Sequence, residues 1–179
     1  MFLIAGLGNP GEKYKLTRHN TGFILLDKLV NAKGSSWQSE RKFNADISVS
    51  DDFVFIKPTT YMNNSGSSVS KILGFYKVEK RNLGVVHDDV DLDFSEVRVQ
   101  FGSGSAGHKG VEDIINMLGS QDFWRIRVGV GRSQNPQLST EDWVLQKFTE
   151  DELKQISELD IGGYLKAVLE KSIENNKNL

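Results

Sequence analysis

The chain has 179 residues, a formal net charge of −2 and no cysteine. The length suits one domain, spanning 1–179, with a sizeable core; 38% hydrophobic and 26% charged residues describe a globular chain. Without cysteine there are no disulfides, thiolate zinc sites or thiol nucleophiles, which fits a reducing cytosol, and the acidic balance lends no support to nucleic-acid binding unless a local basic patch supplies it.

The run from Met1 to Gly6 has no basic leader, and no stretch approaches a membrane span. Phe2 to Leu7 reads as a buried first strand, followed by the glycine-rich turn Gly6-Leu-Gly-Asn-Pro-Gly11. Phe23, Leu26, Leu29 and Val30 have helical spacing, stopped by Gly34 and Ser35. Ile47 and Val49 mark a second strand, and Phe53 to Lys57 a third, ended by Pro58. Asn63-Asn64-Ser65-Gly66 offers capping residues to a helix carrying Val69, Ile72, Leu73 and Tyr76. Leu83 to Val86 is an apolar strand that delivers His87-Asp88-Asp89 at its carboxyl end.

Val97, Val99 and Phe101 alternate as a strand before the flexible segment 102–107, and Val111, Ile114, Ile115 and Leu118 form a clean helical face. Trp124, Ile126, Val128 and Val130 make another strand with one apolar face. Ser139 to Asp142 and Thr149 to Glu152 have the form of capping boxes, and Gly162-Gly163 is expected to break or bend the last helix. The tail beyond about 174 is expected to fray. Alternating strands and helices give a single α/β domain around a twisted, mostly parallel mixed sheet flanked by helices.

Ligands gather at the carboxyl ends of strands in such sheets. Four polar segments fall there: Asn9 with Pro10, Tyr61-Met62-Asn63, His87-Asp88, and residues 102–110. The segment Thr17-Arg18-His19-Asn20-Thr21-Gly22 follows the first of them. Gly6-x-Gly8-x-x-Gly11 matches a dinucleotide fingerprint as a string, but Pro10, the polar residues 12–18 and the lack of an acidic residue ending a second strand argue against it. No histidine pair has metal-ligand helical spacing, and no G-x-S-x-G elbow occurs. Histidine, a carboxylate and several asparagines remain. An aspartate holding one imidazole nitrogen makes the other a base for water, while asparagine amides hold a carbonyl, a water or an oxyanion. That set fits water-mediated acyl transfer on an ester.

Six segments, in order, resemble bacterial peptidyl-tRNA hydrolases: Gly6 to Gly11 with Tyr14, Thr17 to Gly22, Lys57 to Gly66, His87 to Asp91, Gly104 to Gly110, and Trp124 to Gly131. The resemblance implies a monomeric cytosolic enzyme, needing neither cofactor nor metal and binding no membrane. It would cleave the ester between a peptide and the terminal ribose of tRNA. By position, His19 matches the family's general base and Asp88 its orienting carboxylate. Asn9 and Asn63 match residues that bind peptide and water, Tyr14 and Met62 line the cleft, and Arg127 belongs to a basic clamp for the tRNA 5′ phosphate. Two positions depart from the pattern. Lys109 replaces an asparagine after the loop histidine, and Gln100 replaces a clamp lysine. Lys109 is therefore expected to restore the missing positive charge beside Arg127, with Arg98, Arg125 and Arg132 as the other candidate cations. His108 reads as a structural residue of the loop and helix start. The competing class is a binding protein, since plastid relatives act as RNA-splicing cofactors without hydrolysis.

Overall fold

The structure, a computed structural model, describes residues 1–50 and 52–177. Among these residues seven strands form one mixed sheet: β1 (Phe2–Gly6), β2 (Gln38–Glu40), β3 (Ala45–Val49), β4 (Phe53–Pro58), β5 (Leu83–Asp89), β6 (Val97–Phe101) and β7 (Trp124–Gly129). Their order is β2-β3-β4-β1-β5-β7-β6. The four central strands run parallel, while β2, β3 and β6 pair antiparallel at the edges. Besides short 3-10 turns, the described residues form six α-helices: α1 (Thr21–Ala32), α2 (Ser65–Tyr76), α3 (Lys109–Leu118), α4 (Thr140–Val144), α5 (Glu150–Ser157) and α6 (Ile161–Lys177).

Strand periodicity divides the core between the two faces of the sheet. Leu3, Ala5, Leu83 and Val85 pack with Val69, Ile72 and Leu73 of α2 and with Val111 and Ile114 of α3. Phe2, Ile4, Val86 and Ile126 pack on the other face with Leu25, Leu26 and Val30 of α1 and with Ile161, Leu165 and Val168 of α6. The chain leaves β1 by one face and β4 by the other. That reversal opens a crevice at the carboxyl edge beside β1, where a doubly wound sheet binds its ligand.

Several local expectations are corrected. The short edge strand β2 is entirely polar and carries no apolar alternation to betray it. Asn64 stands before α2 but makes no side-chain cap; the Gly66 N–H instead donates to Asp113 Oδ2 of α3 at 2.7 Å. Thr149 and Glu152 form the full reciprocal box, whereas the Ser139 hydroxyl and Asp142 make only half of one, with no bond back to the Ser139 N–H. Gly162 and Gly163 do not break the last helix, because α6 begins at Ile161 and Asp160 accepts from the Gly163 N–H at 3.0 Å. The fraying expected beyond 174 reaches positions outside the described residues.

The start of α1 is pressed onto the sheet. A Cβ at Gly22 would lie 2.3 Å from Leu7 N and from Val86 O, both backbone atoms. Neither can yield without parting β1 from β5, which are joined there by Leu7 N–H to Val86 O. Gly22→Ala is therefore expected to cost about 3 kcal/mol or more, as overpacking against fixed backbone does. Chemical denaturation measures it; a loss below about 1 kcal/mol would mean that α1 can lift from the sheet.

Candidate active site

Asp88 lies near the end of β5 and is 2% exposed. His19, on the 3-10 turn Arg18–Asn20 that leads into α1, places Nδ1 3.0 Å from both carboxylate oxygens. His108 approaches from the other side, with Nε2 3.0 Å from Asp88 Oδ1. One buried carboxylate thus serves two imidazoles that reach the sheet edge from α1 and α3. Burial acts to raise the Asp88 carboxyl, but the neighbouring His19 and His108 outweigh it and hold the group well below the usual carboxylate range. For His19 burial acts downward, and the charge and hydrogen bond of Asp88 reverse the sign, leaving its pKa raised.

The turn that carries His19 is tied down on both sides. Asn9 N–H donates to Asn20 Oδ1 at 2.8 Å, and Asn20 Nδ2 donates back to the Asn9 carbonyl at 2.9 Å. Thr17 Oγ1 bonds the Tyr14 carbonyl at 2.8 Å. Arg18 is buried; its Nη2 lies 2.8 Å from both oxygens of Glu152, and its guanidinium stacks 3.8 Å from the Trp143 ring. The preceding turn is thereby joined to the first turn of α5. Of this turn, His19 is the residue that lines the two cavities beside it.

Two cavities meet at His19. One, of about 530 Å³, is lined by Asn9, Tyr14, Tyr61, Met62 and Asn63. The other, of about 360 Å³, runs past Asp88, Asp91, His108 and Arg132. Lys109, Glu141 and Val144 border both. Asn9 is nearly buried, and its Oδ1 accepts the Met62 N–H at 2.9 Å, so its amide joins the first strand's turn to the turn before α2. Five of the sequence-derived positions, Asn9, Tyr14, Met62, Asn63 and Lys109, therefore surround the histidine.

Arg127 lines neither cavity. Its Nε donates to Asp89 at 2.7 Å and its Nη1 to Gln100 Oε1 at 3.0 Å. Gln100 is thus an acceptor for Arg127, where a lysine would repel it. Lys109 is the first residue of α3, exposed and 3.8 Å from Glu112; the cation that shares its cavity is Arg132, paired with Asp91. Arg125 is buried against Phe123 and the carbonyls of Gln121 and Phe123, which removes it from the candidate cations of the surface.

His87 is fully enclosed. Its Nδ1–H donates to the Asp88 carbonyl at 2.7 Å, and its ring stands edge-on to His108 with centroids 4.7 Å apart. Burial first, then His108, push it down to about 3. Among the described residues, His19, Asp88 and His108 are the one group with possible metal-ligating atoms all within 4.8 Å of one another. These atoms already bond one another, and His108 Nδ1 accepts from the Val111 N–H. That leaves the His108 proton on Nε2, the atom a metal would need bare.

The family model for peptidyl-tRNA hydrolase matches residues 3–178 of this chain. The chain belongs to the peptidyl-tRNA hydrolase family. A peptidyl-tRNA hydrolase of Bdellovibrio bacteriovorus is 44% identical over 160 residues, covering 87% of this chain and 85% of the relative. One from Rickettsia peacockii is 41% identical over 184 residues, covering 99% of this chain and all of the relative, 100%. The crystal structure of peptidyl-tRNA hydrolase from Acinetobacter baumannii superposes with a TM-score of 0.82 at 28% identity, covering 96% of this chain and 94% of that one. No helix among the described residues is long and apolar enough to cross a membrane.

Three residues at or beside these cavities were not foreseen from the sequence. Asn20 was visible only as part of the histidine segment, yet it clamps the Asn9 backbone. Glu141 sits in a capping motif and borders both cavities. His108 does start a helix, as expected, but it also reaches Asp88. Its place between a glycine-rich loop and a helix was the available signal.

His87 gives the site a measurable pH signature. Its imidazole is neutral in the fold and takes up a proton on unfolding below about 6.5, the ordinary histidine value. Its contribution is present above that value and is lost as pH falls toward about 3. His87→Asn keeps a donor near the Nδ1 position and removes the titration. It should flatten the fall of the urea midpoint between pH 6.5 and about 4. An unchanged slope would show that His87 is protonated in the fold.

Proposed function

We propose that this chain hydrolyses the ester joining a peptide to the terminal ribose of tRNA, with His19 as general base and Asp88 as its orienting carboxylate. The observation that carries the reading is the His19–Asp88 pair at the junction of two cavities. With Nδ1–H donated to the carboxylate, Nε2 is the bare nitrogen, and it has no protein hydrogen-bond partner among the described residues. Nε2 takes a proton from water as the water oxygen adds to the ester carbonyl carbon. The tetrahedral oxyanion then collapses, the bond from the acyl carbon to the ribose oxygen breaks, and His19 returns its proton to that oxygen. A raised His19 pKa favours the uptake of the proton.

The larger cavity suits the peptide. Tyr14, Tyr61 and Met62 offer apolar surface, while the amides of Asn9 and Asn63 offer neutral donors to a carbonyl or an oxyanion. The cavity past Lys109 and Arg132 suits the nucleotide end. The net negative chain meets RNA through a local group of cations: Lys109 at the cleft, and Arg127 beside its registered strand partner Arg98 for the 5′ phosphate. In keeping with the family resemblance of its sequence segments, the chain would act as a monomer and a single domain in the cytosol, without metal or cofactor.

The protein should release the N-blocked amino acid from N-blocked aminoacyl-tRNA and leave free aminoacyl-tRNA intact; inactivity on both would favour an RNA-binding role instead. His19→Ala should lower kcat by about two to four powers of ten with little change in substrate binding, the usual share of general base catalysis. Near-normal turnover would remove His19 from that role. For Lys109, a filter-binding salt titration is decisive. Lys109→Ala and Lys109→Asn should each lower the slope of log K against log salt by about 0.7 to 0.9 per lost phosphate contact. A wild-type slope in both would place the RNA contact on other cations.

A further inference from the structure

The reading of His19 and Asp88 leaves the second imidazole on the carboxylate without a task. His108 is the N-cap of α3, and its Nδ1 accepts the Val111 N–H at 3.3 Å. An imidazole nitrogen that accepts an amide N–H carries no proton. The ring proton therefore sits on Nε2, 3.0 Å from Asp88 Oδ1. A helix start here fixes a histidine tautomer, and the tautomer fixes a donor.

The ring has little freedom to do otherwise. It is wedged between His87 and His19, with centroids 4.7 and 4.9 Å away. The Glu112 N–H bonds the His108 carbonyl at 2.9 Å, closing the first turn over it. Gly110 brings the helix start so close that a Cβ there would lie 3.2 Å from His108 Cε1 and 2.6 Å from Met62 Sδ.

Resting on that reading of the pair, we propose that His108 is a positioning residue of the hydrolysis: its Nε2–H, oriented by the Val111 N–H, pins the Asp88 carboxylate so that both oxygens face His19 Nδ1. Without the donor on Oδ1 the carboxylate can turn about its Cβ–Cγ bond. It then ceases to hold His19 in the tautomer whose bare Nε2 meets water. His108 touches neither water nor ester in this account.

One variant separates capping from positioning. Asparagine is among the preferred N-caps and keeps an oxygen for the Val111 N–H, but it is too short to reach Asp88. His108→Asn should keep a melting temperature near wild type and an unchanged KM. Its kcat should fall by about tenfold to a hundredfold, the scale of a misplaced catalytic group. Nitrogen-15 NMR of the wild-type imidazoles provides a second readout that needs no variant. His108 should show a protonated Nε2 and a bare Nδ1, and His19 the reverse. In His108→Asn the His19 signals should move toward a mixture of tautomers. A wild-type kcat in His108→Asn, or the opposite tautomer at His108, would overturn the inference. Asp88→Asn is run in parallel. If it is inactive while His108→Asn is fully active, only the role of His108 fails; if Asp88→Asn is itself fully active, the reading of the pair fails with it.

Discussion

A buried carboxylate without partners would cost several kcal/mol, more than a domain of this size can spare. Asp88 is such a group, and the structure around it consists largely of the means of partnering it. One imidazole comes from the turn before α1 and the other from the first turn of α3. Each of those helices packs on a different face of the sheet. The carboxylate therefore links the two layers at the one edge where β1, β4, β5 and β7 all end. In the proposed mechanism the link also does chemistry, because the charge that both imidazoles satisfy is the charge that would turn His19 into a base.

Holding His19 at 3.0 Å requires that its turn not move, and the sequence around it is spent on that. Arg18 faces away from the cleft and is buried with Glu152, which also completes the capping box of α5. Asn20 binds the backbone of Asn9 in both directions. Gly22 allows α1 to touch the backbone of Leu7 and Val86. Four consecutive functions thus fall on Arg18 to Gly22, with only Thr21 directed locally, its hydroxyl bonding the Arg18 carbonyl. The buried ion pair at Arg18 contributes geometry more than net stability, since the desolvation of both partners offsets much of their attraction.

Much of this was legible in the sequence, and the exceptions have physical reasons. The apolar runs of β1, β4 and β5 and the stripe of α3 are read from periodicity, because burial on a sheet or one helix face demands it. The polar strand β2 is held by its neighbour β3 alone and needs no such pattern. Strand direction was also hidden. β6 runs against β7, so residue 102 starts at the far end of the sheet and the loop 102–108 must double back before His108 can reach Asp88. Alternation says which face a residue takes but not which way its strand points. At the site, residue types gave His19, Asp88, Asn9 and Asn63 as a chemically sensible set. The second partner of Asp88 was missed because capping and donating use opposite nitrogens of one ring, and a sequence reading assigned His108 a single role. Residue type alone also leaves the neighbours of the expected clamp cations open: Lys109 shares its cavity with Arg132, while Arg127 bonds Asp89 and Gln100.

The central claim is that a buried Asp88 carboxylate, and not solvent exposure, sets the basicity of His19. An NMR pH titration of the His19 imidazole in wild type and in Asp88→Asn tests it most directly. In wild type the midpoint should lie above the ordinary value of 6.5. In Asp88→Asn the charge is gone and burial is left unopposed, so the midpoint should fall below that value. A His19 midpoint that is the same in both proteins would contradict the account.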